Sequence, residues 1–263
     1  MDQLLRIRLG ATDKQLYLAL GYAPRRLGKN DLNLTYDERG TARAARTGWD
    51  PADWSVDQAA RIAFVLSSYD GDSARFCERL EQLFITADIG ELLALYRGLP
   101  LYPGSERYLA RAREGARSAM RPIFEAVAHR NPYPVEEFDE NSWNQLVLKA
   151  VFVESKLDRI QGLDARANPR LMRMLCNFAH ERWAAGRSVS PELWRCVGPH
   201  ADFDAVSDLS KVLNTGSDLE RKAAALALAA SPGPIGHAKL ETAPRLATAV
   251  RARQFTWSDI AGD

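Results

Sequence analysis

Apolar positions recur every three or four residues along nearly the whole chain, the spacing that gathers them on one face of an α-helix. Strict alternation followed by hairpin turns is not found. Four-residue start signals divide the pattern into segments. Thr35-Tyr36-Asp37-Glu38, Ser55-Val56-Asp57-Gln58, Asp88-Ile89-Gly90-Glu91 and Ser217-Asp218-Leu219-Glu220 each set a capping side chain three residues before an acid or amide. That acid or amide reaches back to the cap's own N–H. Asn168-Pro169 and Ser190-Pro191 offer a second kind of start, with proline where its missing N–H costs nothing. The spacing predicts helices over 12–22, 35–46, 55–68, 72–86, 88–97, 105–121, 122–130, 139–154, 168–186, 190–198, 202–213, 217–230 and 243–253, with a last turn from Thr256. At least two-thirds of the chain should be helical. The expected fold is all-α.

Short connections between such helices force antiparallel neighbours, so the architecture should be stacked helical hairpins, as an irregular HEAT-like repeat or a compact multi-helix bundle. The stretch from Asp218 to Leu228 reads as an alanine-rich HEAT-type helix whose small residues permit close packing, although no fixed repeat length runs through the chain. One domain over 1–263 is expected, and the candidate internal division lies near 131–138. There Asn131-Pro132-Tyr133-Pro134 precedes the acidic run Glu136, Glu137, Asp139 and Glu140. Two prolines and an aromatic suit a rigid, packed turn better than a tether.

Composition narrows the function classes. With 263 residues, 46% hydrophobic and 26% charged, the chain is an ordinary globular one. Lys and Arg number 35 against 34 Asp and Glu, so no nucleic-acid partner is expected. Asp2, Arg6 and Arg8 interrupt any apolar signal segment, and the longest uncharged run is broken by Pro232-Gly233-Pro234. A cytoplasmic protein is expected, without direct membrane insertion but able to sit at the inner membrane through a partner. Cys77, Cys176 and Cys196 are sparse and form no CxxC pair, which fits buried thiols in a reducing compartment.

Motif chemistry is thin. HExxH, GxSxG, GxGxxG and metal-spaced His/Cys clusters are missing, and Gly21 to Asn30 is a poor phosphate loop with the wrong spacing. No catalytic residue, metal ligand or cofactor is therefore assigned. His129, His180, His200 and His237 fall in four different elements. If an enzyme is hidden here, His180 and Glu181 with Asp164 are its candidates.

Two constellations carry binding chemistry. Winding residues 105–121 at about 100° each puts Arg107, Arg111, Arg113, Arg117 and Arg121 on one side, broken by Glu106 and Glu114. That face is a solvated basic stripe or, through Arg113 and Arg117, a site for an acidic partner. Arg outnumbers Lys 28 to 7, so coding bias also feeds such runs. In 139–154, Glu154 falls within the apolar arc of Trp143, Leu146, Val147, Ala150 and Val153; in 168–186, Arg182 falls within that of Leu171, Met174, Leu175 and Phe178. A charge on a core face needs a partner, so Glu154 and Arg182 should pair. Alternatively Arg182 reaches Asp158 or Asp164, or lines a pocket with Trp183. The loop Gly162 to Asn168, carrying Asp164 and Arg166, should be ordered and partly buried.

These segments also carry a resemblance. Val151-Phe152-Val153-Glu154, Arg159 to Asp164, Arg166-Ala167-Asn168-Pro169, Met174-Leu175, Ala179 to Arg187, Ser190 to Arg195 and Val197-Gly198-Pro199 resemble the central block of the EboA family. Ala23-Pro24-Arg25-Arg26, Gly48-Trp49-Asp50, Trp54 to Arg61, Thr86-Ala87-Asp88 and Asn131 to Pro134 are similar too, giving a collinear likeness over roughly 16–230. The resemblance implies an accessory role in secondary-metabolite biosynthesis and metabolite traffic. Family members are encoded beside a prenyltransferase-like membrane protein, a metal-dependent hydrolase-like protein and a sugar-phosphate-cyclase-like enzyme, which become the expected partners. No catalytic residues come with it. Three readings stand: a non-catalytic scaffold, a small-metabolite carrier whose core pocket is lined by tryptophans and one or two arginines, Trp183 and Arg182 among them, and an enzyme with an unrecognised site. The binding candidates are His180, Arg182, Trp183, Glu154, Asp164, Arg166, Arg113 and Arg117.

Overall fold

The structure, a computed structural model, describes residues 13–262. The expectations resting on Asp2, Arg6 and Arg8, and on the first residue of the 12–22 helix, lie outside the described residues. Helix, 3-10 turns included, accounts for 71% of the described residues. Among the described residues there are 16 α-helices and no sheet; one isolated antiparallel bridge joins Asp31 and Ser55. The chain forms two compact units, Met1–Asp139 and Glu140–Asp263.

The first unit holds α1 (Asp13–Leu27), α2 (Tyr36–Ala45), α3 (Val56–Ser67), α4 (Ser73–Thr86), α5 (Ile89–Gly98), α6 (Leu109–Arg117), α7 (Arg121–Ala128) and α8 (Tyr133–Glu137). At Ser55 only half of the start signal forms, the Ser55 N–H donating to Gln58 at 3.2 Å, while those at Thr35 and Asp88 act as read. Thr35 accepts from the N–H of Glu38 at 3.3 Å while Glu38 accepts from the N–H of Thr35 at 2.8 Å, and Asp88 and Glu91 do the same for α5. The packing is serial: α1 lies on α3, α3 on α5, and α5 on α7, with α6 beside α7.

Helix α1 runs five residues past its predicted end, through Pro24. Proline has no N–H to give the carbonyl four residues back, which is that of Leu20. The buried guanidinium of Arg61 supplies the missing donor, its Nε lying 3.0 Å from that carbonyl oxygen. Arg61 also donates to Asp57 at 3.2 Å, and Asp57 in turn accepts from the Ser55 hydroxyl at 2.6 Å. All of this lies inside the unit: Arg61 is 3% exposed and Asp57 4%.

The continuous helix expected over 105–121 is not formed. Ser105–Tyr108 is a 3-10 turn, α6 stops at Arg117, and Ser118 is extended before α7 begins with Pro122 in its first turn. Pro122 cannot donate to the carbonyl of Ser118, so one helix cannot pass through. The prolines near 131–134 make a packed turn: Asn131 is buried, its side chain donates to the carbonyls of Tyr96 and Ala126 and accepts from the N–H of Tyr133.

The second unit holds α9 (Glu140–Phe152), α10 (Pro169–Ala184), α11 (Trp194–Val197), α12 (Phe203–Thr215), α13 (Asp218–Ala229), α14 (Pro234–Glu241), α15 (Pro244–Arg251) and α16 (Trp257–Ala261). Its axis is α13, against which α11, α12, α14, α15 and α16 all pack. Ala223, Ala224, Ala225, Ala227 and Leu228 are wholly buried, so about half of the helix's circumference is covered, while Lys222 on the opposite side is exposed. Small side chains let backbones meet. At Gly198 a Cβ would stand 2.5 Å from the carbonyl oxygen of Ala227 and 2.7 Å from its Cα, so only glycine fits there.

Two local expectations fail in this unit. Helix α14 forms where the Pro232-Gly233-Pro234 break predicts none, because Pro234 opens a helix instead of ending one. Ser190-Pro191 opens only a 3-10 turn without a side-chain cap, and residues 190–198 are split between that turn and the four-residue α11. No helix among the described residues is long and apolar enough to cross a membrane.

Candidate functional site

Helix α10 starts from Asn168, whose side chain accepts from the N–H of Leu171 at 2.9 Å, and ends on Gly186 in the left-handed region. Its last turn presents His180, Arg182 and Trp183. The His180 Nε2 lies 2.7 Å from Asp208 on α12. The Trp183 ring stacks on the buried ring of Trp194 at 5.8 Å and 29°, and the Lys211 ammonium stands 4.3 Å above the Trp183 ring. His180, Trp183, Trp194, Asp208 and Lys211 thus join α10, α11 and α12 in one half-open cluster of aromatic and charged groups.

Arg182 points elsewhere, as its neighbour in a 100° winding must. Its Nε donates to the carbonyl of Ser188 at 2.9 Å, and its terminal nitrogen is 3.6 Å from Glu154. The predicted pair therefore meets, but at the surface: the Glu154 side chain is 74% exposed. The expectation of a core pair is corrected by the way α9 ends. Phe152 is the last helical residue, Glu154 has φ of 55°, its N–H bonds the carbonyl of Val151, and the N–H of Ser155 bonds that of Ala150. This is a Schellman end with a glutamate where glycine is usual. Extending the helix phase to residue 154 put the carboxylate on an arc that no longer exists there.

Asp164 does not meet Arg182 either. Arg195 on α11 grips it through both carboxylate oxygens, at 2.7 and 2.8 Å, and reaches Asp158 at 2.7 Å. Burial pulls the Arg195 guanidinium down, but the two aspartates more than offset it and hold its pKa above the ordinary value. One residue turn away, the buried Glu192 accepts from the N–H groups of Leu157 at 3.2 Å and Asp158 at 2.8 Å; burial raises its carboxyl pKa despite those bonds. Together they clamp the loop between α9 and α10. Arg166 in that loop lies over the Trp143 ring at 4.7 Å. The trio His180, Glu181 and Asp164 is not assembled: His180 is on Asp208, Asp164 is on Arg195, and Glu181 is exposed.

The basic stripe of the first unit is largely neutralised where it stands. Arg111 pairs with Glu81 and Glu114, Arg113 with Asp139 at 2.7 Å, Arg121 with Glu125, and Arg107 lies 3.5 Å from Glu106. Among the described residues, Arg117 alone of the five has no such pairing, and it is exposed. Arg111 and Arg113 do not stay in bulk solvent, because Glu81 of α4 and Asp139 stand against them.

Sequence reasoning did not find the densest charge cluster in the first unit. Three guanidinium nitrogens converge on one oxygen of Asp50, from Arg39 at 2.9 Å, Arg43 at 3.5 Å and Arg130 at 3.5 Å. Arg130 also lies 3.1 Å from Asp53. Burial tends to raise the Asp50 carboxyl, but Arg39 and Arg130 hold it below the usual range. The segment Gly48-Trp49-Asp50 was its one visible signal. Elsewhere, burial pushes the Cys176 and Cys196 thiols up to about 12, so neither is a ready nucleophile.

Fold and clusters together define an all-α protein of two compact units, in which charged side chains clamp helix ends and loops. The family model described as metabolite traffic protein EboA matches residues 2–198, and the chain belongs to the EboA family. The match ends at Gly198, so α12 to α16, with the alanine helix among them, lie beyond it. No curated protein and no solved structure matches the chain.

Proposed function

We propose that this member of a metabolite-traffic family is a non-catalytic cytoplasmic scaffold that holds another protein of its secondary-metabolite pathway. The observation that carries the reading is the outer arc of α1. Leu16, Leu20 and Ala23 are buried on one side, while Tyr17, Leu18 and Tyr22 are exposed on the other. Tyrosines beside an exposed leucine are the composition of a contact surface, since a rigid amphipathic ring covers much area at little cost in entropy. The charged clusters support it as well: His180, Arg182, Asp164, Arg166 and Arg113 are engaged in contacts that tie elements together within their own units. The proposed partners are the proteins encoded beside family members, foremost the cytoplasmic face of the prenyltransferase-like membrane protein. Co-purification of tagged protein with those partners in detergent, read by mass spectrometry, tests this. A named partner should be recovered with wild type and lost with Leu18→Glu plus Tyr22→Glu at unchanged helix content. Equal recovery with the variant would sink the reading.

A metabolite carrier is the second reading, favoured by the half-buried Trp183 with Lys211 over its ring. An aromatic anion would exchange for that ammonium contact. Mass spectrometry of the gently purified protein, with Trp183→Ala as comparison, distinguishes a retained metabolite from none.

A further inference from the structure

Four guanidinium groups gather at the 3-10 turn Pro51–Asp53: Arg39 and Arg43 from successive turns of α2, Arg97 from α5, and Arg130 from the turn after α7. Two carboxylates face them, Asp50 and Asp53, so four positive charges meet two negative ones. Glu125, which also attracts Arg97, is matched by Arg121, and Glu136 by Arg46, so counting both pairs leaves the excess at two.

The donors outnumber the acceptors as well. One carboxylate oxygen of Asp50 is shared by three guanidiniums, and two of them, at 3.5 Å, are at the outer limit of a hydrogen bond. Each guanidinium carries five N–H groups in a planar fork. The Nε of Arg39 and the indole Nε1 of Trp49, the residue next to Asp50, are buried without a hydrogen-bond partner.

Arg97 gives an independent sign. Its terminal nitrogen donates to two neutral oxygens, the carbonyl of Asp53 at 2.6 Å and the side-chain oxygen of Gln58. Burial lowers its pKa, with only the more distant attraction of Asp53 and Glu125 opposing. A desolvated cation bonded to neutral groups is a cation poised for an anion. Arg130 adds another: it sits at φ of 48°, a left-handed conformation costly for arginine, and the adjacent buried Asn131 holds it there. From that position its side chain reaches Asp50 at 3.5 Å and Asp53 at 3.1 Å.

We propose that this cluster is a binding site for a phosphoryl group carrying two negative charges, with Arg43, Arg130 and Arg39 as its principal ligands. A phosphate monoester carries about −1.5 to −2 at neutral pH, which matches the local excess, and its oxygens suit planar guanidinium forks. The approach is from the side of Arg43, whose side chain is 52% exposed while Asp50 is 18% exposed. Asp50 acts as the internal stand-in that keeps the guanidiniums gathered when no ligand is present. This inference does not rest on the scaffold reading, whose surface is on α1.

The test is calorimetric titration of the full chain with inorganic phosphate at pH 8, with sodium acetate and sodium chloride at matched ionic strength as separate arms. Saturable one-site binding of phosphate with Kd at or below about 1 mM is expected, with no saturation by chloride. Arg43→Gln, half in solvent and so tolerated by the fold, should weaken phosphate at least about tenfold, one lost charge-assisted contact. Arg75→Gln, an exposed arginine paired with Asp70 and Asp72 elsewhere in the unit, should change nothing. Acetate binding as tightly as phosphate would overturn the phosphoryl assignment. Equal phosphate affinity in wild type and Arg43→Gln, or no saturable binding, would overturn the site. Asp50→Asn gives a second readout that needs no calorimetric fit: phosphate should raise its unfolding midpoint more than that of wild type, and an equal or smaller rise counts against the proposal.

Discussion

The two units solve the same problem, bringing helices close together without stranding backbone polar groups, by opposite means. The first accepts a proline inside α1 and sends a charged side chain into the core to satisfy the carbonyl that Pro24 leaves open. The second removes side chains until backbones touch, as at Gly198 and Ala227. A guanidinium is a costly core component, and it repays that cost only while every partner is in place. A glycine–alanine contact has no partners to lose but no room to spare. The first unit should therefore be sensitive to deletion and the second to addition.

The largest effect belongs to Arg61→Ala, which leaves the buried Asp57 carboxylate with the Ser55 hydroxyl but no cation, and the Leu20 carbonyl without the Arg61 donor. A loss of about 3–5 kcal/mol in urea unfolding is expected. Pro24→Ala restores the helix's own N–H to Leu20, so the cost of Arg61→Ala should be smaller in that background. A double-mutant cycle showing no coupling would break the comparison on the first side.

On the second side, Gly198→Ala forces backbone apart and should cost about 1–3 kcal/mol or more. A neutral outcome by the same measurement would mean that the contact is softer than its 2.5 Å suggests. Glu192 tests whether the second unit tolerates a buried charge better than the first. Glu192→Gln offers one acceptor oxygen to the two N–H groups of Leu157 and Asp158 and should cost about 1–3 kcal/mol. Because burial raises its folded pKa, the unfolded state gives up its proton first. Wild-type stability from this group should fall as pH rises from about 4.3 through the raised value, and the slope should vanish in the variant.

The smallest effects are at the surface pair. Arg182→Ala should change stability by no more than about 1 kcal/mol, far below Arg61→Ala, although both remove an arginine from an ion pair. Glu154→Gly should stabilise by about 0.5 kcal/mol, the relief of left-handed backbone less the entropy glycine adds to the unfolded chain. A large loss at Arg182 would mean that the pair is more buried than its exposure indicates.

What could be read in the sequence was local. Thr35, Asp88 and Ser217 announce helix starts because cap and partner lie three residues apart, and they act as such. Ends were harder to read. The end of α9 uses Glu154 in place of the glycine that would have marked it, and where α1 continues past Pro24 the open carbonyl of Leu20 is met by Arg61, a residue far along the chain. The clusters were harder still. His180 was visible, but its partner Asp208 lies 28 residues on, and Arg195 and Asp164 are separated by 31. The Asp50 cluster draws on α2, a 3-10 turn and the turn after α7, and no periodicity links those. Ion pairs between segments are set by tertiary packing, so a helix wheel can name the charges without naming who meets whom.

Each unit also encloses one close pair of indoles. Trp49 and Trp54 cross at 60° with centres 5.6 Å apart, while Trp183 and Trp194 lie nearly flat on each other at 29° and 5.8 Å. Chromophores this near share their excited states, and the sign and size of the resulting circular-dichroism couplet depend on the angle between them. The two pairs should therefore give different optical signatures, each vanishing when its own unit melts. Along a denaturant series, couplets that fade together would mark one cooperative transition, and couplets that fade apart would time the two units separately without any added label.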